Sequence, residues 1–171
     1  MTLAIALFFI ACDSKRIYDS YQSVENQSWK LNAKKTFSFY VKDTINKNNL
    51  FVNIRNNNNY PYSNLFLITQ FTFPNGEKIV DTLEYEMTDN LGNFLGTGFS
   101  ELKENKLFYK ENVKFPTSGE YKVSIAQAMR KNGEVSGIES LEGIAKLTID
   151  ILFQPENTTT ITIGFGGQRT M

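Results

Sequence analysis

The chain has 171 residues, of which 41% are hydrophobic and 21% charged, and its 18 Lys and Arg are balanced by 18 Asp and Glu. That length suits one domain, the apolar content excludes a disordered chain, and zero net charge leaves no basic field to gather phosphates, so nucleic acid is not an expected partner. Histidine is absent and Cys12 is the only cysteine, which removes His-based triads, His-ligated metal, an internal disulfide and any CxxC site.

Leu3 to Ala11 (LAIALFFIA) is an apolar run of nine residues, too short for a hydrocarbon core that needs roughly 20. It reads as a signal segment over residues 1–11. Small Ala11 directly before Cys12 has the arrangement of a bacterial lipobox, although Phe9 stands where leucine is usual. The expectation is cleavage before Cys12 and lipidation of its sulfur. Several buried acyl chains, at about 0.8 kcal/mol per CH2, then hold the protein on a membrane. Residues 12–34 are polar with isolated aromatics (Tyr18, Tyr21, Trp29) and read as the lipidated cysteine and a tether.

From Lys35 onward the apolar pattern has a period of two, the mark of half-buried strands. Phe37, Phe39 and Val41 form one such set, Leu50, Val52 and Ile54 a second, and Leu65, Leu67, Phe71 and Phe73 a third. Pro74-Asn75-Gly76-Glu77 predicts a hairpin with two positive-φ residues in a type I′ turn. The return strand carries Ile79, Leu83, Tyr85 and Met87 on one face, with Thr82, Glu84 and Glu86 on the other. Residues 88–98 (TDNLGNFLGTG) are a Gly- and Asn-rich loop with Phe94 and Leu95 near its tip. Further strands are predicted over Leu107–Phe115, Glu120–Ile125 and Leu147–Phe153. Gly119-x-Tyr121 has the pattern of a tyrosine corner, and Ala126–Lys131 predicts one helical turn stopped by Asn132-Gly133. The Thr- and Gly-rich residues 154–171 are a C-terminal extension that fits either an edge hairpin or a tail.

Seven or so short strands with at most one short helix define an all-β protein. The expected fold is an antiparallel β-sandwich over residues 35–153, immunoglobulin-like or jelly-roll-like.

Three groups of residues are candidates for chemistry. Glu84 and Glu86 share a strand face at roughly 6.5 Å between Cα atoms, a separation open to a carboxylate pair; the favoured reading is a solvated edge that discourages aggregation. Asp89, Asn90 and Asn93 offer oxygen ligands to calcium, but the set is incomplete and these residues also serve turns for backbone reasons. In Tyr60-Pro61-Tyr62-Ser63-Asn64, two rings held apart by proline suit a protein interface or sugar stacking, while the favoured reading is local packing of both rings over the sheet edge. The partner-binding candidates are therefore Tyr60, Tyr62, Asn64 and Phe94. No catalytic residue, metal or cofactor is expected.

Several segments together carry a family resemblance: Asn53-Ile-Arg55 with Asn56–Asn59 and Tyr60-Pro-Tyr-Ser-Asn64, then Phe73-Pro-Asn-Gly76, Asp81-Thr-Leu-Glu-Tyr-Glu86, Gly92–Gly98, Lys103–Lys106 with Tyr109–Asn112, Ala128–Gly133 and Leu141–Ile144. In this order and spacing, over about residues 12–151, the chain resembles the gliding-motility lipoprotein GldH family of the Bacteroidota. The resemblance implies a membrane-anchored, non-catalytic envelope protein whose partners are other envelope proteins of the gliding and type IX secretion machinery. Asp13-Ser-Lys-Arg16 after the cysteine lacks the acidic signal typical of surface lipoproteins in that phylum, which favours a periplasm-facing position. The alternative from another class is a carbohydrate-binding or carbohydrate-cleaving envelope lipoprotein using the same tyrosines and Glu84/Glu86.

Overall fold

A computed structural model describes residues 16–98 and 100–154. Ten strands follow in chain order: β1 Arg16–Ser23, β2 Ser28–Lys30, β3 Lys35–Val41, β4 Lys47–Asn56, β5 Asn64–Thr72, β6 Lys78–Glu86, β7 Lys103–Lys114, β8 Gly119–Gln127, β9 Ser140–Glu142 and β10 Ile144–Gln154. They make two four-stranded antiparallel sheets, β1-β10-β4-β7 and β3-β8-β5-β6, with a small β2-β9 pair between them in the chain path.

The pairing is nested. β1 pairs with β10, β2 with β9, β3 with β8, β4 with β7 and β5 with β6. The chain is thus one long antiparallel ribbon doubled back at the β5–β6 turn, and the contacts β10·β4 and β5·β8 roll that ribbon into two layers. This is the jelly-roll order, so of the two sandwich types open to the sequence the structure has the second.

Alternation sets which residues meet between the layers. Leu50, Val52 and Ile54 of β4 and Leu147, Ile149 and Ile151 of β10 are buried, as are Leu65 and Leu67 of β5 and Tyr121, Val123 and Ile125 of β8. Phe39, Phe71, Phe115 and Tyr121 form a ring cluster, with centroids 5.0 Å apart for Phe115–Tyr121 and 6.4 Å for Phe71–Phe115. Such pairs add about 0.5–1.5 kcal/mol each beyond their buried area.

The structure corrects the sequence reading in three places. Residues 16–34 are not a tether: β1 lies beside β10, and Trp29 on β2 is 1% exposed with its indole N–H donating to Ala33 O at 2.7 Å. Ala126–Lys131 is not helical, because β8 continues to Gln127 opposite Leu67 and Ala128 N–H donates to Phe66 O at 2.9 Å. The one helical turn among the described residues is the 3-10 segment Glu25–Gln27. At the β5–β6 turn only Gly76 has positive φ (+88°). Gly76 N–H donates to Phe73 O and Phe73 N–H to Glu77 O, both at 2.9 Å. Pro74 presets the first central φ of a type I turn and Gly76 takes the left-handed position after it, whereas a type I′ turn on Asn-Gly would have put Asn75 at positive φ as well.

The tyrosine corner is present. Tyr121 OH donates to Thr117 O at 2.7 Å, and Gly119 (φ +148°) lies so close to the turn that a Cβ there would stand 2.8 Å from Pro74 Cβ.

Candidate functional site

The segment 57–63 joins β4 to β5. Asn57 shapes it by accepting Asn59 N–H on its side-chain oxygen at 2.8 Å and Tyr60 N–H on its carbonyl at 3.2 Å. That turn drives Tyr60 inward: the residue is 4% exposed, and its OH donates to Asn64 O at 2.6 Å. Burial, with Tyr62 alongside, pushes the Tyr60 phenol far above its ordinary pKa, so it stays a neutral donor. Tyr60 is therefore core, as the packing reading has it, and its place among the partner-binding candidates is corrected. The half-buried Tyr62 packs edge-on against it at 6.0 Å. Asn64 opens β5 and donates from Nδ2 to Glu84 Oε1 at 3.0 Å.

The Phe94 loop is brought to the same end of the sandwich, since Ser63 O accepts both Met87 N–H (2.7 Å) and Thr88 N–H (3.2 Å). Phe94 bridges to Thr88 and packs half-buried on the core. Leu95 beside it is exposed, but the most exposed apolar side chains of the loops are Leu91 (87%) and Val135 (88%), which sit in Gly- and Asn-rich stretches where no periodicity flags them. Asp89 accepts the N–H groups of Leu91 and Asn93 and the Asn93 Nδ2 group at 2.8–2.9 Å. Those bonds, the Asn93 side chain's first, hold its carboxyl below the usual range, so the candidate calcium loop is a self-satisfied Asx turn. Glu86 is exposed while Glu84 is engaged with Asn64, and both stand on edge strand β6 rather than in a cleft.

Between the sheets' edges, Asp81 of β6 accepts Tyr109 OH at 2.8 Å and Lys110 Nζ at 2.9 Å. Strand pairing skips Tyr109, passing from Phe51↔Phe108 to Leu50↔Lys110, and this bulge aims the tyrosine across the gap. Tyr85 OH crosses the same gap to Phe108 O at 2.7 Å. Burial raises both phenols well above the usual tyrosine value. The cluster ties the layers together.

The outward face of the β1-β10-β4-β7 sheet is ordered by strand register. One row across it reads Tyr21, Thr148, Asn53, Lys106, and the next Lys146, Arg55, Glu104. Lys146 Nζ lies 3.3 Å from the Tyr21 ring centre and Lys106 Nζ 4.3 Å from that of Phe51, while Arg55 pairs with Glu104 at 2.8 Å. Asn53, Arg55, Glu104, Lys146 and Thr148 line a shallow depression. Cys12 lies outside the described residues.

A jelly-roll domain is the class of protein these features define. The family model described as GldH lipoprotein matches residues 16–151. Over 138 residues the chain is 56% identical to a protein of Christiangramia forsetii named "Gliding motility lipoprotein GldH homolog", covering 81% of this chain and 84% of that one. It is 49% identical over 142 residues to the "Gliding motility lipoprotein GldH" of Flavobacterium johnsoniae, covering 83% and 87%. The chain belongs to the GldH lipoprotein family. Among solved structures, an infectious bursal disease virus VP2 subviral particle aligns at a TM-score of 0.38 and 16% identity, over 92% of this chain and 39% of that one.

Proposed function

We propose that the protein is held on a membrane by lipid on Cys12, faces the periplasm, and acts without catalysis by contacting other envelope proteins of the gliding-motility and type IX secretion machinery. The observation that carries this reading is the family relationship: two relatives of 49% and 56% identity are both named as gliding motility lipoproteins. The geometry supports a binding role, because the carboxylates that sequence offered for chemistry, Glu84, Glu86 and Asp89, are engaged in local hydrogen bonds or stand on an open edge. The anchor is the step that makes local contact possible, confining the domain to the surface where its partners lie.

The test is gene replacement in the native host with the wild type, Cys12→Ser, and a deletion. Expected results are an acylated mature N-terminus by mass spectrometry for the wild type, loss of the Cys12→Ser protein from the membrane fraction, and defective spreading and secretion in both altered strains. Unaltered membrane association of Cys12→Ser would overturn the anchor, and a deletion strain that spreads and secretes normally would overturn the role.

A further inference from the structure

We propose that the outward face of the β1-β10-β4-β7 sheet is a docking site for an acidic, extended peptide segment of a partner protein, read by Lys106 and Lys146 and seated on Asn53. This rests on the protein-contact reading above and names its surface and the partner's chemistry.

Three observations carry it. First, Asn53 is 9% exposed and its Oδ1 is buried without a hydrogen-bond partner, in the depression lined by Arg55, Glu104, Lys146 and Thr148. A buried amide oxygen left unpaired costs free energy that a donor would recover. The flanking Arg55 and Lys146 side chains are long and rotatable, so a ligand that draws them outward uncovers that oxygen to an N–H. Second, the cations are unequal: Arg55 is neutralised by Glu104, whereas Lys106 and Lys146 rest on aromatic rings with no carboxylate partner among the described residues. Third, the face is four strands wide. Lys106 and Lys146 stand two strands apart, roughly 10–12 Å by inter-strand spacing, and their flexible stems bring both ammonium groups within reach of residues i and i+4 of an extended chain, which share one face at about 13 Å.

A peptide offers carboxylates to both lysines and a backbone N–H to Asn53. A sugar fits less well, because saccharides are gripped by stacking on open aromatic faces, and on Tyr21 and Phe51 lysine ammonium groups already occupy a face.

The test titrates the full acylated chain in neutral-lipid nanodiscs with labelled oligoglutamate, a Gly/Ser peptide of equal length, and polygalacturonate, read by anisotropy and amide chemical shifts. Expected are salt-sensitive binding of oligoglutamate alone, shifts centred on Asn53, Lys106 and Thr148, and about tenfold weaker binding in Lys106→Glu/Lys146→Glu. Lys106→Arg/Lys146→Arg is expected to retain binding, as is Lys78→Glu/Lys122→Glu on the other sheet. No binding, equal loss in the two charge reversals, or tighter binding of polygalacturonate overturns the proposal. Crosslinking in cells separates the two levels: named machinery partners still captured by Lys106→Glu/Lys146→Glu would sink this surface and leave the protein-contact reading standing, while a wild type that captures none would sink both.

Discussion

Gly143 lies against the backbone of Tyr60: a Cβ at Gly143 would stand 2.3 Å from the Tyr60 amide nitrogen and 2.5 Å from its Cα. The glycine separates β9 from β10 at φ +81°, and its carbonyl accepts Asn57 N–H at 2.9 Å. The short turn between those strands therefore fixes the depth of the loop that carries Tyr60.

Gly143→Ala is expected to destabilise by about 3 kcal/mol or more, since it combines left-handed strain with a clash against backbone that cannot rotate away. Gly76→Ala shares the positive φ but meets nothing within 4 Å, so only the conformational cost of about 1–2 kcal/mol applies. Urea unfolding of the two variants checks the difference. Equal losses would mean that the approach to Tyr60 relaxes freely.

Two phenol hydroxyls close turns from inside the core: Tyr121 to Thr117 O and Tyr60 to Asn64 O. Removing either hydroxyl leaves a carbonyl with one acceptor role unfilled, and Tyr121→Phe and Tyr60→Phe are each expected to lose about 1–2 kcal/mol. Tyr40, 63% exposed on edge strand β3, is the control, with Tyr40→Phe changing stability by less than about 0.5 kcal/mol. Thermal unfolding of the three variants tests the ranking.

Alkaline instability follows from Tyr60, Tyr85 and Tyr109, whose phenols are raised chiefly by burial. The unfolded chain ionises these groups near pH 10, and the native chain only at higher pH. Their stabilising contribution is thus complete below about pH 10 and is lost as pH climbs toward the folded values. Tyrosinate absorbance and circular dichroism are expected to change together for these three residues above that pH. Full, reversible ionisation with the sheet signal intact would contradict their burial.

Legibility in the sequence followed local physics. The strands from β3 to β8 and the last strand were readable because alternation is strict where one face meets the core, as in Phe37, Phe39 and Val41. β1 and β2 escaped that reading: β2 is three residues long, and Trp29 on it is buried by its pairing with β9 more than a hundred residues away, which no window of sequence contains. Tyr60 stayed open between packing over the sheet edge and a contact role, because the loop's Pro and Asn residues do not reveal that Asn57 turns the ring inward. The outer-face row of Asn53, Thr148 and Lys106 was invisible for the same reason as β2: it exists only through register.

That register also orders the folding reaction. The β5–β6 hairpin closes over the three residues Pro74, Asn75 and Gly76, whereas Ser20 must find Ile149 across most of the chain. Loop-closure entropy favours the short loop first, and each successive outer pair of the nested ribbon then closes a loop already shortened by the pair inside it. A jelly roll zipped from its tip is expected to fold slowly, as high contact order requires, with the tip structured in the transition state and the β1·β10 pair formed late. Gly76→Ala should accordingly lower the folding rate and leave unfolding nearly unchanged, while Ile149→Val, at a residue 1% exposed, should mainly accelerate unfolding. Stopped-flow chevrons of the two variants decide it; a reversed pattern would place the nucleus at the chain ends and the zipper model would fail.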